Sequence, residues 1–241
     1  MTAVPATAKA CANHLLALLP DNEFQAIRPH LEFFPTPLRM VLFERDGEIP
    51  YVYFPLSGSH SVLAIMEDGA AIEVGTVGNE GLSTIDALTG STYAVETTIC
   101  QIPGDSLRMP VARFNEAIQA HPELRRLCFR FLQAYLSHVS QSVACNRLHS
   151  TEERFARWIL LSHDRVQGDE FQLTQEFLAD MLGVHRPSVS LIAKRFQQAG
   201  LLDYKRGIVT ILDRPGLEEV TCECYAAVRK QFERALGKPI G

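Results

Sequence analysis

Residues 172–212 read QLTQEFLADMLGVHRPSVSLIAKRFQQAGLLDYKRGIVTIL, and this stretch decides the fold. Thr174 is a suitable N-cap, and Gln175 and Glu176 fit a first turn at the positive end of a helix dipole. Phe177, Leu178, Met181 and Leu182 then give a short amphipathic helix. Gly183 follows where a helix ends in a left-handed residue, and Val184 supplies the apolar side chain that packs the turn. A second helix starts near His185, with Pro187 tolerated in its first turn. Val189, Ile192, Ala193 and Phe196 form its inner face, and Gly200 ends it. Leu201–Tyr204 and Ile208–Leu212 alternate as two strands around a turn at Lys205-Arg206-Gly207. Two helices, a tight turn and a hairpin make a winged helix-turn-helix.

The outward side of the second helix carries Arg186, Ser188, Ser190 and Lys194 in its first turns. A recognition helix has this arrangement, its N-terminal end entering the major groove where side chains reach base edges. Arg186 is the candidate for a bidentate guanine contact, worth ~1–3 kcal/mol of discrimination. Ser188, Ser190 and Lys194 suit mixed base and phosphate contacts, Thr174 and Gln175 the DNA backbone, and Lys205 and Arg206 a phosphate at the wing tip. His185 either lies near the DNA or caps its helix. From Arg186 to Arg206 there are five basic residues and one acid, Asp203. A helix–Gly–helix pattern alone is weak evidence, since any αα-hairpin has it; the wing, its basic tip and the polar outer face supply the rest. The alternative is a winged-helix module used for protein contacts.

Upstream, residues 14–34 have helical apolar spacing through Leu15, Leu18, Leu19, Phe24, Ile27 and Leu31, interrupted at Pro20-Asp21. From about 36 to 109, short apolar runs alternate with turn signals, with strands expected at Tyr51–Phe54, His60–Met66, Ala71–Val77 and Tyr93–Ile102. Many short strands at such spacing indicate a small antiparallel β-roll. Helical period returns over 110–147, and neither Gly nor Pro interrupts 123–147. A helix of ~25 residues is ~37 Å long and needs a partner along its apolar stripe. Leu124, Leu127, Phe131, Tyr135 (or Ala134) and His138 form that stripe. The favoured reading makes them the seam of a parallel two-helix homodimer; the other packs them on the chain's own β-roll. The expected division is 1–120, 121–147 and 148–241, an α+β protein.

The 241 residues carry a formal charge of −5, which does not exclude nucleic acid because residues 151–241 hold 13 basic and 13 acidic side chains. The deficit lies in the first 150 residues, and DNA binding needs only a local basic face. Six cysteines stand at 11, 100, 128, 145, 222 and 224, without the paired C-x₂-C spacing of zinc or iron–sulfur motifs. They read as reduced structural thiols. Cys222-Glu223-Cys224 falls on a C-terminal helix opened by Asp213 and Pro215, where residues two apart diverge. A metal there would need ligands from elsewhere, so neither metal nor cofactor is assigned. The first 20 residues lack a basic segment followed by an apolar run, and no apolar stretch reaches membrane-spanning length. A cytoplasmic protein without a membrane partner is expected. G-x-S-x-G, P-loop and H-E-x-x-H patterns are absent, so an enzyme is not.

The run from Leu173 to Asp213 resembles the C-terminal domain of the Crp/Fnr superfamily (cyclic-AMP receptor protein and fumarate–nitrate regulator). The likeness extends along the chain through the β-roll, the long helix and TEERFARWILL at 151–161. It implies a transcriptional regulator with a cyclic-nucleotide-binding-like β-roll. It also implies a homodimer on a partly palindromic double-stranded operator, an RNA polymerase contact and a small-molecule effector. The effector itself is not legible. Cyclic-nucleotide members carry Gly-Glu-Leu and then Arg-Ser; here the stretch is VGTVGNEGLSTIDALTGSTYAVE, with Glu80 displaced and Thr92-Tyr93 near the Arg-Ser position. No Arg or Lys lies between Arg45 and Arg108 to hold a phosphate, so cyclic AMP is not expected. Iron–sulfur members have an N-terminal cysteine cluster, where this chain has Cys11 alone. His60, Cys100 and His138 are conceivable haem ligands but read as ordinary core residues. Pro187 and Leu191 replace a Glu and an Arg common in the recognition helix, so the familiar half-sites are not implied. A constitutive, ligand-independent regulator is the alternative.

Overall fold

The computed structural model describes residues 3–237. Two short helices, α1 (His14–Ala17) and α2 (Asp21–Ile27), lead into strand β1 (Glu32–Thr36). The helical period read through 34 therefore stops a turn earlier, at a 3₁₀ turn over Arg28–His30. The β-roll continues with β2 (Val41–Phe43), β3 (Tyr51–Pro55), β4 (Ser59–Ile65), β5 (Ala71–Val77), β6 (Thr97–Ile102) and β7 (Gly104–Pro110). These strands form two antiparallel sheets, ordered β1-β7-β3 and β2-β6-β4-β5. The strand expected from Tyr93 begins only at Thr97; Tyr93 makes an isolated bridge to Glu48.

Helix α3 (Val111–Ala120) closes the roll by setting Phe114 against Phe54, 6.1 Å between ring centres. The long helix α4 (Pro122–Leu148) follows, with 27 residues. Pro122 occupies its first turn, where a missing N–H costs nothing. Glu23 of α2 satisfies two of the remaining orphan donors: its carboxylate accepts from Leu124 N (2.9 Å) and Glu123 N (3.2 Å). An anion at the positive end of the dipole anchors this helix to the N-terminal segment.

The C-terminal unit comprises α5 (Thr151–His163), β8 (Glu170–Gln172), α6 (Gln175–Leu182), α7 (Arg186–Gln198), β9 (Leu202–Lys205), β10 (Ile208–Ile211), α8 (Arg214–Val220) and α9 (Cys224–Leu236). Ser150 and Glu153 form a reciprocal capping box at the start of α5, marking the hinge with α4. Helix α9 turns back along α4, with Phe232 packed on Phe131 (6.1 Å) and His138 (6.3 Å).

The two units are joined by buried polar contacts. Arg165, just after α5, donates to Glu80 of the β5-to-β6 connection at 2.7 Å, and both side chains are 1% exposed. Trp158 Nε1 donates to Glu73 of β5 (3.0 Å), whose other oxygen accepts from Ser61 (2.6 Å). Desolvation pushes the Glu73 carboxyl up to about 7, against the opposing effect of the Ser61 and Trp158 hydrogen bonds and the nearby Arg165 and Arg157 charges. No helix among the described residues is long and apolar enough to cross a membrane.

Candidate nucleic-acid interface

Local chemistry places the two helices of the motif. Thr174 Oγ accepts from Phe177 N (3.2 Å) and caps α6. Gly183 adopts φ +61°, a conformation costly for any side chain with a Cβ, and Val184 N–H returns to Ala179 O at 3.0 Å. Helix α7 starts at Arg186, and the His185 side chain makes no capping hydrogen bond. Val189, Ile192, Ala193 and Phe196 are buried, with Phe196 edge-on to Phe155 of α5 at 5.2 Å. Strand β10 pairs with both β8 and β9, so the wing is three-stranded. Lys205 pairs with Ile208 across a two-residue loop, Arg206-Gly207, both with positive φ. That is the primed hairpin turn that matches strand twist.

Most of the candidate side chains on these elements are exposed. Thr174, His185, Arg186, Ser188, Lys194, Lys205 and Arg206 are exposed, while Gln175 and Ser190 are partly buried. The Ser190 hydroxyl lies 2.6 Å from Gln175 Oε1 and donates to it, tying the start of α6 to the outer face of α7. Lys205 pairs with Asp203 (2.7 Å) and Arg195 with Glu152. Arg186, Lys194 and Arg206 have no ion pair with a described residue, so the unpaired positive charge of these elements lies along α7 and at the wing tip. Leu191 is 52% exposed on the same helix.

Residues 153–220 match the family model for the Crp-like helix-turn-helix domain. The chain is 26% identical over 190 residues to the transcriptional activator protein FnrA of Stutzerimonas stutzeri, covering 73% of this chain and 75% of that protein. It is 27% identical over 186 residues to the transcriptional activator protein anr of Pseudomonas aeruginosa, covering 71% and 73%. Residues 153–220 are therefore a Crp-like helix-turn-helix domain, and the two relatives support a Crp/Fnr-type transcriptional regulator. Its fold agrees with that of a Crp/Fnr-family regulator from Eubacterium rectale (TM-score 0.66, 18% identity, 86% of this chain and 96% of the other). It also agrees with FixK2 of Bradyrhizobium japonicum (TM-score 0.68, 15% identity, 80% and 98%). The β-roll, long helix and winged helix-turn-helix are thus a Crp/Fnr arrangement.

The long helix corrects one expectation. Leu124, Leu127, Phe131, Tyr135 and His138 are buried within the protomer and cannot form a surface seam. Phe131 lies over Gly81, where even a Cβ would collide with its ring, and Phe232 of α9 packs on Phe131 and His138. The chain's own β-roll and last helix fill that stripe. A second stripe, Phe129, Leu136 and Val143, faces outward at 49%, 56% and 67% exposure. With the partly buried Leu132 and Val139 it steps three and four residues alternately, which is heptad spacing. In the sequence this stripe is interleaved with charged residues, Arg125, Arg126 and Arg130.

Glu80 and the conceivable haem ligands His60, Cys100 and His138 are all buried within the protomer. Glu80 is held by Arg165. His60 is buried on β4 with Nδ1 2.5 Å from Ser83 Oγ, and burial pushes its pKa down to about 3. Cys100 Sγ points to the Thr36 carbonyl at 3.2 Å. Burial, reinforced by Arg157 and Arg165, holds His138 well below the ordinary histidine range. Cys222 and Cys224 do not sit on one helix. Helix α8 ends at Val220 and α9 begins at Cys224, and the break turns both thiols toward Cys145 of α4.

Proposed function

We propose that this Crp/Fnr-type regulator works as a homodimer that reads a partly palindromic DNA site through α7. The observation that carries the reading is the unpaired, exposed Arg186 at the N-terminal end of α7, with a second unpaired and exposed cation, Arg206, at the wing tip. Arg186 takes the guanine contact, Ser188 and Lys194 the neighbouring bases and phosphates, and Lys205 and Arg206 a flanking phosphate. Thr174, Gln175 and His185 line the approach to the backbone. Ser190 positions Gln175 through their hydrogen bond. Two such heads reach successive major grooves if the protomers pair along Phe129, Leu136 and Val143, since a heptad stripe on a helix of this length suits a parallel self-pairing. Two curated relatives are named as transcriptional activators, which supports an RNA polymerase contact.

The β-roll is proposed not to take cyclic AMP. Glu80 is consumed by a buried ion pair, no cation lies between Arg45 and Arg108, and Phe131 fills the space against Gly81. A signal would act on the contacts joining the roll to the winged helix. The same filled interior also favours a ligand-independent regulator. Selection of bound duplexes from random DNA, with and without cell extract, tests the reading. A recurrent two-fold sequence is expected, with log K falling steeply against log salt. No enriched sequence and a flat salt profile would favour the protein-interaction module.

A further inference from the structure

Three buried thiols and one imidazole converge where α4 ends. Cys145 sits in the last turns of α4, His149 caps it, Cys222 lies in the break between α8 and α9, and Cys224 opens α9. Their ligand atoms all lie within 4.8 Å of one another. The three cysteines form a cluster of their own, separate from the main apolar core. Cys145 Sγ is 3.6 Å from Cys222 Sγ, and Cys224 Sγ is 3.5 Å from His149 Nδ1. Tetrahedral zinc with ordinary bond lengths has S–S edges of ~3.8 Å and S–N edges of ~3.5 Å. The Cys145–Cys222 and Cys224–His149 separations are close to those edges.

The surroundings match as well. His149 Nε2 is 3.1 Å from Glu223 Oε2, so a carboxylate holds the ring with Nδ1 facing the thiols. Gln141 Nε2 donates to Cys224 Sγ at 3.0 Å, a contact suited to a thiolate acceptor. Donors gathered around one point do not suit an iron–sulfur cluster, whose thiolates sit on separate irons and spread more widely. Three sulfurs and one nitrogen leave no open position, so the site is closed and structural rather than catalytic.

We propose that Cys145, His149, Cys222 and Cys224 bind a single zinc ion that clamps the end of α4 to the α8–α9 junction. Binding replaces three S–H bonds by three Zn–S bonds, the three protons pass to solvent, and neutral His149 donates its lone pair. The clamp bridges the long helix and the DNA-binding unit at their hinge, so it fixes where the winged helix stands on the helix that would pair two protomers. No sequence signal joined the two halves, because Cys-x₃-His and Cys-x-Cys lie more than 70 residues apart.

Full-length protein purified under reducing conditions without chelators should carry one zinc per chain by elemental analysis. Replacement with cobalt should give the visible absorption of a tetrahedral thiolate complex. Cys222→Ser and Cys224→Ser should each lose the metal, whereas Cys100→Ser, buried in the β-roll, should retain it. Glu223→Gln keeps all four ligands and should weaken zinc by ~10–100-fold in competition with a chromogenic chelator. The Glu223 variant and the cobalt spectrum of the unaltered chain keep the test valid if a cysteine variant fails to fold. Protein that neither carries zinc nor takes up added zinc or cobalt would overturn the proposal. So would a Cys145–Cys222 disulfide in freshly isolated, metal-free protein.

Discussion

Leu191 stands half-exposed on the outer side of α7, a full turn beyond Pro187. An apolar side chain on a groove-facing helix meets the thymine methyl, the one apolar group on a major-groove edge. Replacing thymine by uracil at the facing position should weaken the unaltered chain roughly fourfold, the worth of about one buried methyl, and should leave Leu191→Ala unaffected. Equal losses in both proteins would remove Leu191 from the interface. Much at this scale was legible because turn and cap chemistry is local: Thr174 caps α6, and Gly183 and Gly200 take left-handed conformations at the helix ends. Partner choice was not legible. The hydrogen bond between Ser190 and Gln175, like the pairing of Arg195 with Glu152, depends on where side chains meet across elements.

At the scale of elements, α4 carries two apolar stripes, and its sequence does not say which neighbour takes which. The stripe through Phe131 and Tyr135 has the larger side chains, yet it belongs to the protomer core because α9, far away in sequence, returns to cover it. Opposite consequences follow for substitutions on the two faces. Phe131→Ala should cost ~3–5 kcal/mol of folding stability, read from denaturant unfolding. Leu136→Glu should leave the protomer's fold intact but abolish the dimer, read by sedimentation at micromolar concentration. A Leu136→Glu protein with unchanged mass in solution would rule out the outward stripe as the seam. The break between α8 and α9 was likewise hidden, since neither Gly nor Pro marks it after Thr221.

In the whole molecule, the winged helix is held on the β-roll through buried charge. Removing one partner of the Glu80–Arg165 pair strands the other, so Arg165→Met should cost ~3–5 kcal/mol, and Glu80→Leu added to it should recover part of that loss. Strict additivity of the two changes would contradict the coupling. Glu73 adds a pH dependence with a definite sign. Its folded-state pKa is raised to about 7, so its favourable contribution is complete below the ordinary carboxylate range near 4.5 and is lost as pH rises through 7. The buried His60 and His138 act oppositely, since their depressed pKa values favour the fold above the ordinary histidine pKa. The difference in Tm between Glu73→Gln and the unaltered chain isolates Glu73, and it should grow in the variant's favour from about pH 4.5 to 7. A difference that stays constant over that range would refute the assignment. The claim on which the functional account rests is that α7 reads sequence through Arg186. The direct measurement is a titration of the selected duplex and a scrambled duplex with the unaltered chain and with Arg186→Ala. The variant should bind the selected duplex roughly 5- to 150-fold more weakly, with little change on the scrambled one; unchanged affinity and unchanged preference would contradict the account.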